Sequence, residues 1–258
     1  LAPVIAPYLP TETNTGPSLQ GPSVDHLFGT DRLGRDILSR VLYGGRISLF
    51  VSLVAVLISM IVGVVLGMVS GYRSGLVDSV IMRIIDGLMA FPGLILALTV
   101  AFALGPSVKS IVIALAVVRI PAFARIVRGQ VLSLRHQEYV VAATVVGAGE
   151  LRTLVRHLLP NLTSIILVQM SLSAGTMIFT ETSLGFLGLS VPPPTPTWGG
   201  LLFDGYAYFS QSPWQSILPG AVIFLAILSF NFLGDGLRDR LDPQQRQRRR
   251  VRVVPGGP

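Results

Sequence analysis

Long uncharged apolar runs, rather than short alternating patterns, dominate this chain. A helix needs roughly 20 apolar residues to cross a bilayer core of about 30 Å. The clearest candidate is 47–72, 26 residues without a charge between Arg46 and Arg73. A second uncharged run, 87–108, lies between Asp86 and Lys109. Residues 110–127 are apolar apart from Arg119 and Arg125 and make a weaker span. Runs at 162–182 and 215–234 complete a set of five predicted membrane helices. The opening LAPVIAPYLP reads as the outer end of a sixth, so 1–46 is expected to be that helix end plus an extracytoplasmic segment.

Composition agrees. The chain is 51% hydrophobic and only 13% charged, where a soluble domain carries about 25% charged residues, and its mean hydropathy is +0.67. The net charge of +7 would suit nucleic acid, but seven of the twenty Lys and Arg fall in 238–252. That makes 244–258 a basic tail, solvated or lipid-facing, with about 1 kcal/mol for each base near an anionic leaflet. Positive charge also orients the chain. If 47–72 runs inward, the inside segments hold fourteen Lys and Arg, against five (Arg32, Arg35, Arg40, Arg46 and Lys109) outside. The tail is then cytoplasmic. Cysteine is absent, which removes disulfide and thiolate chemistry.

Two connections are long. In the inside loop, 128–160, a helical stretch at 138–146 is followed by the turn Gly147-Ala148-Gly149. Beyond it, Leu151, Leu154, Val155, Leu158 and Leu159 recur at helical spacing, with Arg152, Arg156 and His157 opposite. Pro160 is predicted to end this helix. The pattern suits either two short helices projecting from the membrane or an amphipathic helix among the headgroups. The outside loop, 183–214, holds the extended stretch VPPPTPTW and four aromatics placed like interfacial anchors: Trp198, Tyr206, Tyr208 and Trp214.

The residues of the inside loop decide between these readings. Glu138-Tyr-Val-Val-Ala-Ala-Thr-Val-Val-Gly147, followed by His157-Leu-Leu-Pro160-Asn161, resembles the EAA loop of ABC-importer permeases. Ala142, Ala143, Gly147, Leu159 and Pro160 fall in register. Val141 stands at the general acidic position, with Glu138 three residues earlier, and His157 at the isoleucine position; both departures look like the peptide-importer branch. Gly29-Thr30-Asp31-Arg-Leu-Gly34-Arg35-Asp36 resembles the GTDxxGRD signature of the C-type dipeptide and oligopeptide permeases, and 186–199 resembles their outer loop. The likeness covers 26–243.

This resemblance implies an all-α membrane protein, a type I ABC-importer permease bundle of five to six helices in a prokaryotic inner membrane. Its implied partners are a second homologous permease subunit, two cytoplasmic ATPase subunits and an extracytoplasmic solute-binding protein. ATP and Mg would be held by the ATPases, with no cofactor or metal on this chain. Coupling to the ATPases would fall to Glu138, Ala142, Ala143, Gly147, Gly149, Glu150, Leu151, Arg152, Leu159 and Pro160. Di- or oligopeptides are the implied solutes, with glutathione, nickel chelates and haem as alternatives.

The chain cannot hydrolyse ATP through a P-loop. Its single lysine, Lys109, has Val108 where a Walker A motif needs glycine. Nor do His26, His136 and His157 have ligand or triad spacing. An ion-coupled transporter would need broken helices and repeats, which the sequence does not display, and an intramembrane enzyme would need paired carboxylates or an activated nucleophile. Ala55, Ser59, Gly63, Gly67 and Gly71 form a small-residue stripe, expected to pack within this subunit rather than against a second one. Asp86 and Glu181 lie near span ends and are expected at the interface. Arg119 lies deeper, where a charge costs at least about 2.5–3.5 kcal/mol, and is expected to face a cavity or pair with an acid, or else to snorkel. Pro92 and Pro121 are expected to kink their helices.

Overall fold

In lipid a backbone can satisfy its polar groups only within itself, so apolar runs must become helices. The computed structural model describes residues 2–241. The predicted tail at 244–258 lies outside the described residues. After a short turn, α1 (Ala2–Ile5), come α2 (Ile37–Arg73), α3 (Gly75–Met89), α4 (Gly93–Leu104), α5 (Val108–Leu134), α6 (Glu138–Val145) and α7 (Glu150–Arg152). A π-helical turn, Thr153–Leu158, joins α7 to α8 (Leu159–Phe186), and α9 (Trp198–Tyr206) and α10 (Trp214–Leu241) follow. Among the described residues, four stretches are long and apolar enough to cross a membrane: Ile37–Arg73, Val108–Leu134, Glu150–Phe186 and Trp214–Arg240.

The fifth expected helix, 87–108, is not one rod. α3 and α4 meet at 93°, because Pro92 disfavours helical backbone in the residue before it and α4 restarts after it. The expected kink at Pro92 is thus a full break in the helix. α4 has 12 residues, about 18 Å of rise, so it cannot cross a bilayer core alone. α3 is amphipathic, with Leu76, Val80 and Ile84 exposed along one edge. Its carboxylates tie it to α5: Asp78 accepts from Nε and Nη2 of Arg128, both at 2.6 Å, and Asp86 pairs with Arg125. Pro121, by contrast, sits inside a continuous α5.

The centre of the bundle is the crossing of α2 and α5. A Cβ on Gly63 would lie 2.5 Å from Phe123 Cβ; on Gly67, 2.6 Å from the Ala124 carbonyl; on Gly71, 2.8 Å from Val131 Cβ. The small stripe therefore packs within this chain. One apolar cluster fills the half around Val51, Val56, Leu115, Phe123 and Met177. Another, at the opposite end, joins Val64, Val127 and Val131 to Val140, Leu154, Leu158 and Leu162.

Pro160 does not end a helix. A proline clashes with the carbonyl four residues back. Here the preceding six residues widen into a π turn, with the Leu159 amide donating to the Leu154 carbonyl, and the rod continues from Glu150 to Phe186.

The outer connection also differs from its expected form. α9 is a helix packed among α2, α8 and α10, and Trp198, expected as an interfacial anchor, is 4% exposed. Its indole donates to the Val41 carbonyl at 3.0 Å and its amide to Ser48 Oγ at 3.1 Å. Such an approach requires glycine on the facing surfaces. A Cβ on Gly45 would touch the indole at 2.9 Å, and one on Gly199 would lie 2.4 Å from the Thr182 carbonyl. Tyr206 and Trp214 remain exposed, as anchors should be.

Candidate functional site

The segment resembling an EAA loop forms a hairpin at the end of the bundle where α2 and α5 finish. Its roots are buried: Val140 at 1%, Leu154 at 6% and Leu158 at 0% exposure. Its tip is apolar and bare, with Val145, Val146 and Leu151 strongly exposed. Of the five apolar residues expected on one face of the second helix, Leu154 and Leu158 point inward, while Leu151 and Val155 point out. The widened turn breaks the 3.6-residue period that would have aligned them. The turn between the helices depends on Gly147 at φ 87°, a left-handed conformation that costs other residues roughly 1–2 kcal/mol. A Cβ there would meet nothing within 4 Å, so the glycine serves the bend and leaves open space above it.

Around this tip, Glu138, Ala142 and Pro160 are exposed and Ala143 and Leu159 half-exposed. Glu150 accepts from Arg73 Nε at 2.8 Å, which fastens the hairpin to the last residue of α2. Gly149 precedes α7 and Arg152, on its outer side, is exposed.

The GTDxxGRD segment lies at the opposite end and is a folded cap. Asp31 is its hub, accepting from the Leu33 amide at 2.8 Å, the Arg35 amide at 3.0 Å, Arg35 Nε at 2.6 Å, and Arg40 Nη1. Burial alone would raise the Asp31 pKa. The Arg35 amide and the charges of Arg40 and Arg35 outweigh it, and its carboxyl sits below the usual aspartate range. Asp36 caps α2 through the Ser39 amide at 2.7 Å and also meets His26 Nδ1 at 3.0 Å. Thr30 is fully buried and bridges back to Asp36. Gly29 and Gly34 have positive φ, and a Cβ on either would strike a carbonyl at 2.3 or 2.5 Å. A cleft of about 600 Å³ separates this cap from the proline stretch and α9, with Arg40 and Asp204 3.6 Å apart across it. The signature residues are therefore structural.

The intramembrane charges divide. Asp86 is exposed beside Arg125, as an interfacial group would be. Glu181, expected near a span end, is enclosed by protein at 2% exposure; it faces Ser48 and Thr182 and leaves Oε2 buried without a hydrogen bond among the described residues. Packing of α9 over this part of α8 buries it. Arg119 is half-buried and donates from Nε to Ser173 Oγ at 3.0 Å, with no carboxylate of the described residues in ion-pair range. Sequence reasoning passed over the face of α8 beside it. Gln169, Ser173, Thr176, Thr180 and Ser183 recur at steps of four and three residues, a helical stripe hidden by an apolar average.

Residues 63–247 match the family of binding-protein-dependent transport system inner membrane components. The dipeptide transport system permease protein DppC of Alkalihalophilus pseudofirmus is 44% identical over 245 residues, covering 95% of this chain and 81% of that one. The glutathione transport system permease protein GsiD of Shigella flexneri serotype 5b is 50% identical over 224 residues, covering 87% and 74%. Among solved structures, a chain of the inward-facing MetNI methionine ABC transporter superposes with a TM-score of 0.66 at 15% identity, over 80% of this chain and 98% of that one. A chain of an amino acid ABC transporter with histidines gives 0.62 at 16% identity, over 79% and 94%. The two structures share the fold.

Proposed function

The chain belongs to the family of binding-protein-dependent transport system inner membrane components, and from that premise we propose that it carries di- or oligopeptides inward, glutathione among them, as half of a two-subunit pathway. It is the permease subunit of an ABC importer and works with separate ATPase subunits. In this reading the hairpin end is cytoplasmic, with the end of α10, and the capped end faces outward toward a solute-binding protein. A second permease subunit completes the pathway, and one ATPase grips each permease.

The observation that carries the coupling assignment is the hairpin's division into a buried root and an apolar, exposed tip. A short helix pair with Val145, Val146 and Leu151 uncovered is suited to lie in a groove of another protein. The root at Leu154 and Leu158 sits in the same cluster as α2 and α5, so force on the tip reaches the crossing that defines the bundle. ATP binding would draw the two ATPases together, move the hairpins with them and switch the pathway between outward and inward access.

Because the chain lacks cysteine, Val146→Cys introduces a single thiol on it. In the assembled transporter this thiol should crosslink to an ATPase subunit, with a yield that changes when ATP is added. A failure to crosslink, or labelling of Arg152→Cys from outside intact cells, would overturn the assignment.

A further inference from the structure

Polar side chains on the outward face of a membrane helix can border water as well as lipid or protein. α2 shows what a lipid face looks like here: Phe50, Leu53, Leu57, Ile61 and Val65 are all exposed and all apolar. α8 differs. Over 169–183, about 21 Å of helix, its outward face mixes an amide and three hydroxyls with the exposed ring of Phe179. Thr176 is exposed and Gln169, Thr180 and Ser183 are half-exposed; Ser173 is buried, under Arg119. The hydroxyls of Ser173, Thr176, Thr180 and Ser183 donate to carbonyls of their own helix at 2.6–3.2 Å, and among the described residues Ser173 alone of the four also meets another helix, accepting from Arg119 of α5.

Arg119 stands on the flank of this stripe. It is the twelfth residue of the 27-residue α5, about 16–17 Å from the helix start, deep within a helix long and apolar enough to cross a membrane. Charged groups at that depth face the bundle interior or water. Nε is held by Ser173, which fixes the plane of the guanidinium, while the two Nη groups have no hydrogen bond to the described residues. A planar, fixed pair of cationic donors beside a hydrated stripe suits a carboxylate.

We propose that the α8 face bearing Gln169, Ser173, Thr176, Thr180 and Ser183 walls the solute path, and that Arg119 receives the free carboxylate of the passing peptide. The inference rests on the import reading above and narrows it. Solutes with a free carboxylate are favoured, and a bare metal cation is disfavoured. The contact must be single and partly hydrated, since a fully enclosed pair would hold the solute instead of releasing it.

The test uses the whole transporter in proteoliposomes, with its binding protein, ATPases and both permease subunits. Arg119→Gln should lower the dipeptide moved per ATP hydrolysed at least about tenfold, and Arg119→Lys, which keeps the charge, should retain most of it. Wild-type peptide per ATP in Arg119→Gln overturns the proposal. So does loss of assembly in both variants, which would make Arg119 a pairing group for the second permease subunit. In a separate arm, Thr176→Cys should react with a charged, water-soluble thiol reagent and be protected by dipeptide, while Leu57→Cys should not react. A Thr176→Cys thiol that stays unreactive also overturns it. If wild-type transporter moves no peptide with ATP, the import reading itself fails, and the labelling arm still reports whether the stripe is wet.

Discussion

Gly67→Leu should leave little folded protein in the membrane. The first side-chain carbon alone would lie 2.6 Å from the Ala124 carbonyl and 2.8 Å from Val127 Cβ. Neither neighbour can withdraw without unwinding or displacing α5. Overpacking by a methylene costs about 1–3 kcal/mol where side chains can adjust. Here backbone meets backbone, and four carbons must fit. Total stability is typically only about 5–15 kcal/mol, so separating α2 from α5 consumes most of it. Gly67→Ala should show the lower part of that range as a reduced melting temperature in detergent. Full-length Gly67→Leu recovered at wild-type yield and melting temperature would show that the helices do not cross as described.

Asp31→Asn is the second large effect. The carboxylate is 4% exposed and faces two arginines. Asparagine keeps the shape but removes the charge, which leaves Arg35 without its carboxylate and Arg40 with Asp204 alone, 3.6 Å away and half-exposed. Breaking a buried pair in this way costs about 3–5 kcal/mol. Loss should appear as protease sensitivity of the first 36 residues before the helices melt, because Asp36 caps α2 independently. Acid should mimic the variant. The Asp31 pKa is depressed in the folded protein, so its contribution is complete above the ordinary aspartate value of about 3.9 and disappears as pH falls through the native value. Equal protease resistance of Asp31→Asn and wild type at neutral pH would remove the hub assignment.

Much of this architecture can be read from the chain, and the exceptions have physical reasons. The run at 47–72 identified α2 because an uncharged 26-residue stretch has few alternatives. Its start at Ile37 was hidden by Arg40 and Arg46, although Asp36 three residues before Ser39 is an N-cap signal. Hydropathy averages over a window and is blind to direction, so 87–108 read as one span although Pro92 marked the break. Pro160 followed the general rule for proline until a neighbouring turn widened to accommodate it. Trp198 and Glu181 could not be placed in advance, since their burial is created by α9 folding back against Gly44, Gly45 and Gly185. The inside-loop hairpin was legible as a motif, but which leucines were its root depended on the π turn.

The uninterrupted rod from Glu150 to Phe186 has a mechanical meaning. Thirty-seven residues make a rod of about 55 Å, with the apolar hairpin tip at one end and Gly185 pressed against Gly199 at the other. Pivoting near its midpoint by only 5° would swing each tip by roughly 2–3 Å in opposite senses. In the coupling reading, a displacement of roughly 2–3 Å at the hairpin would be carried by the rod itself to the α9 seat and the arginine-lined cleft.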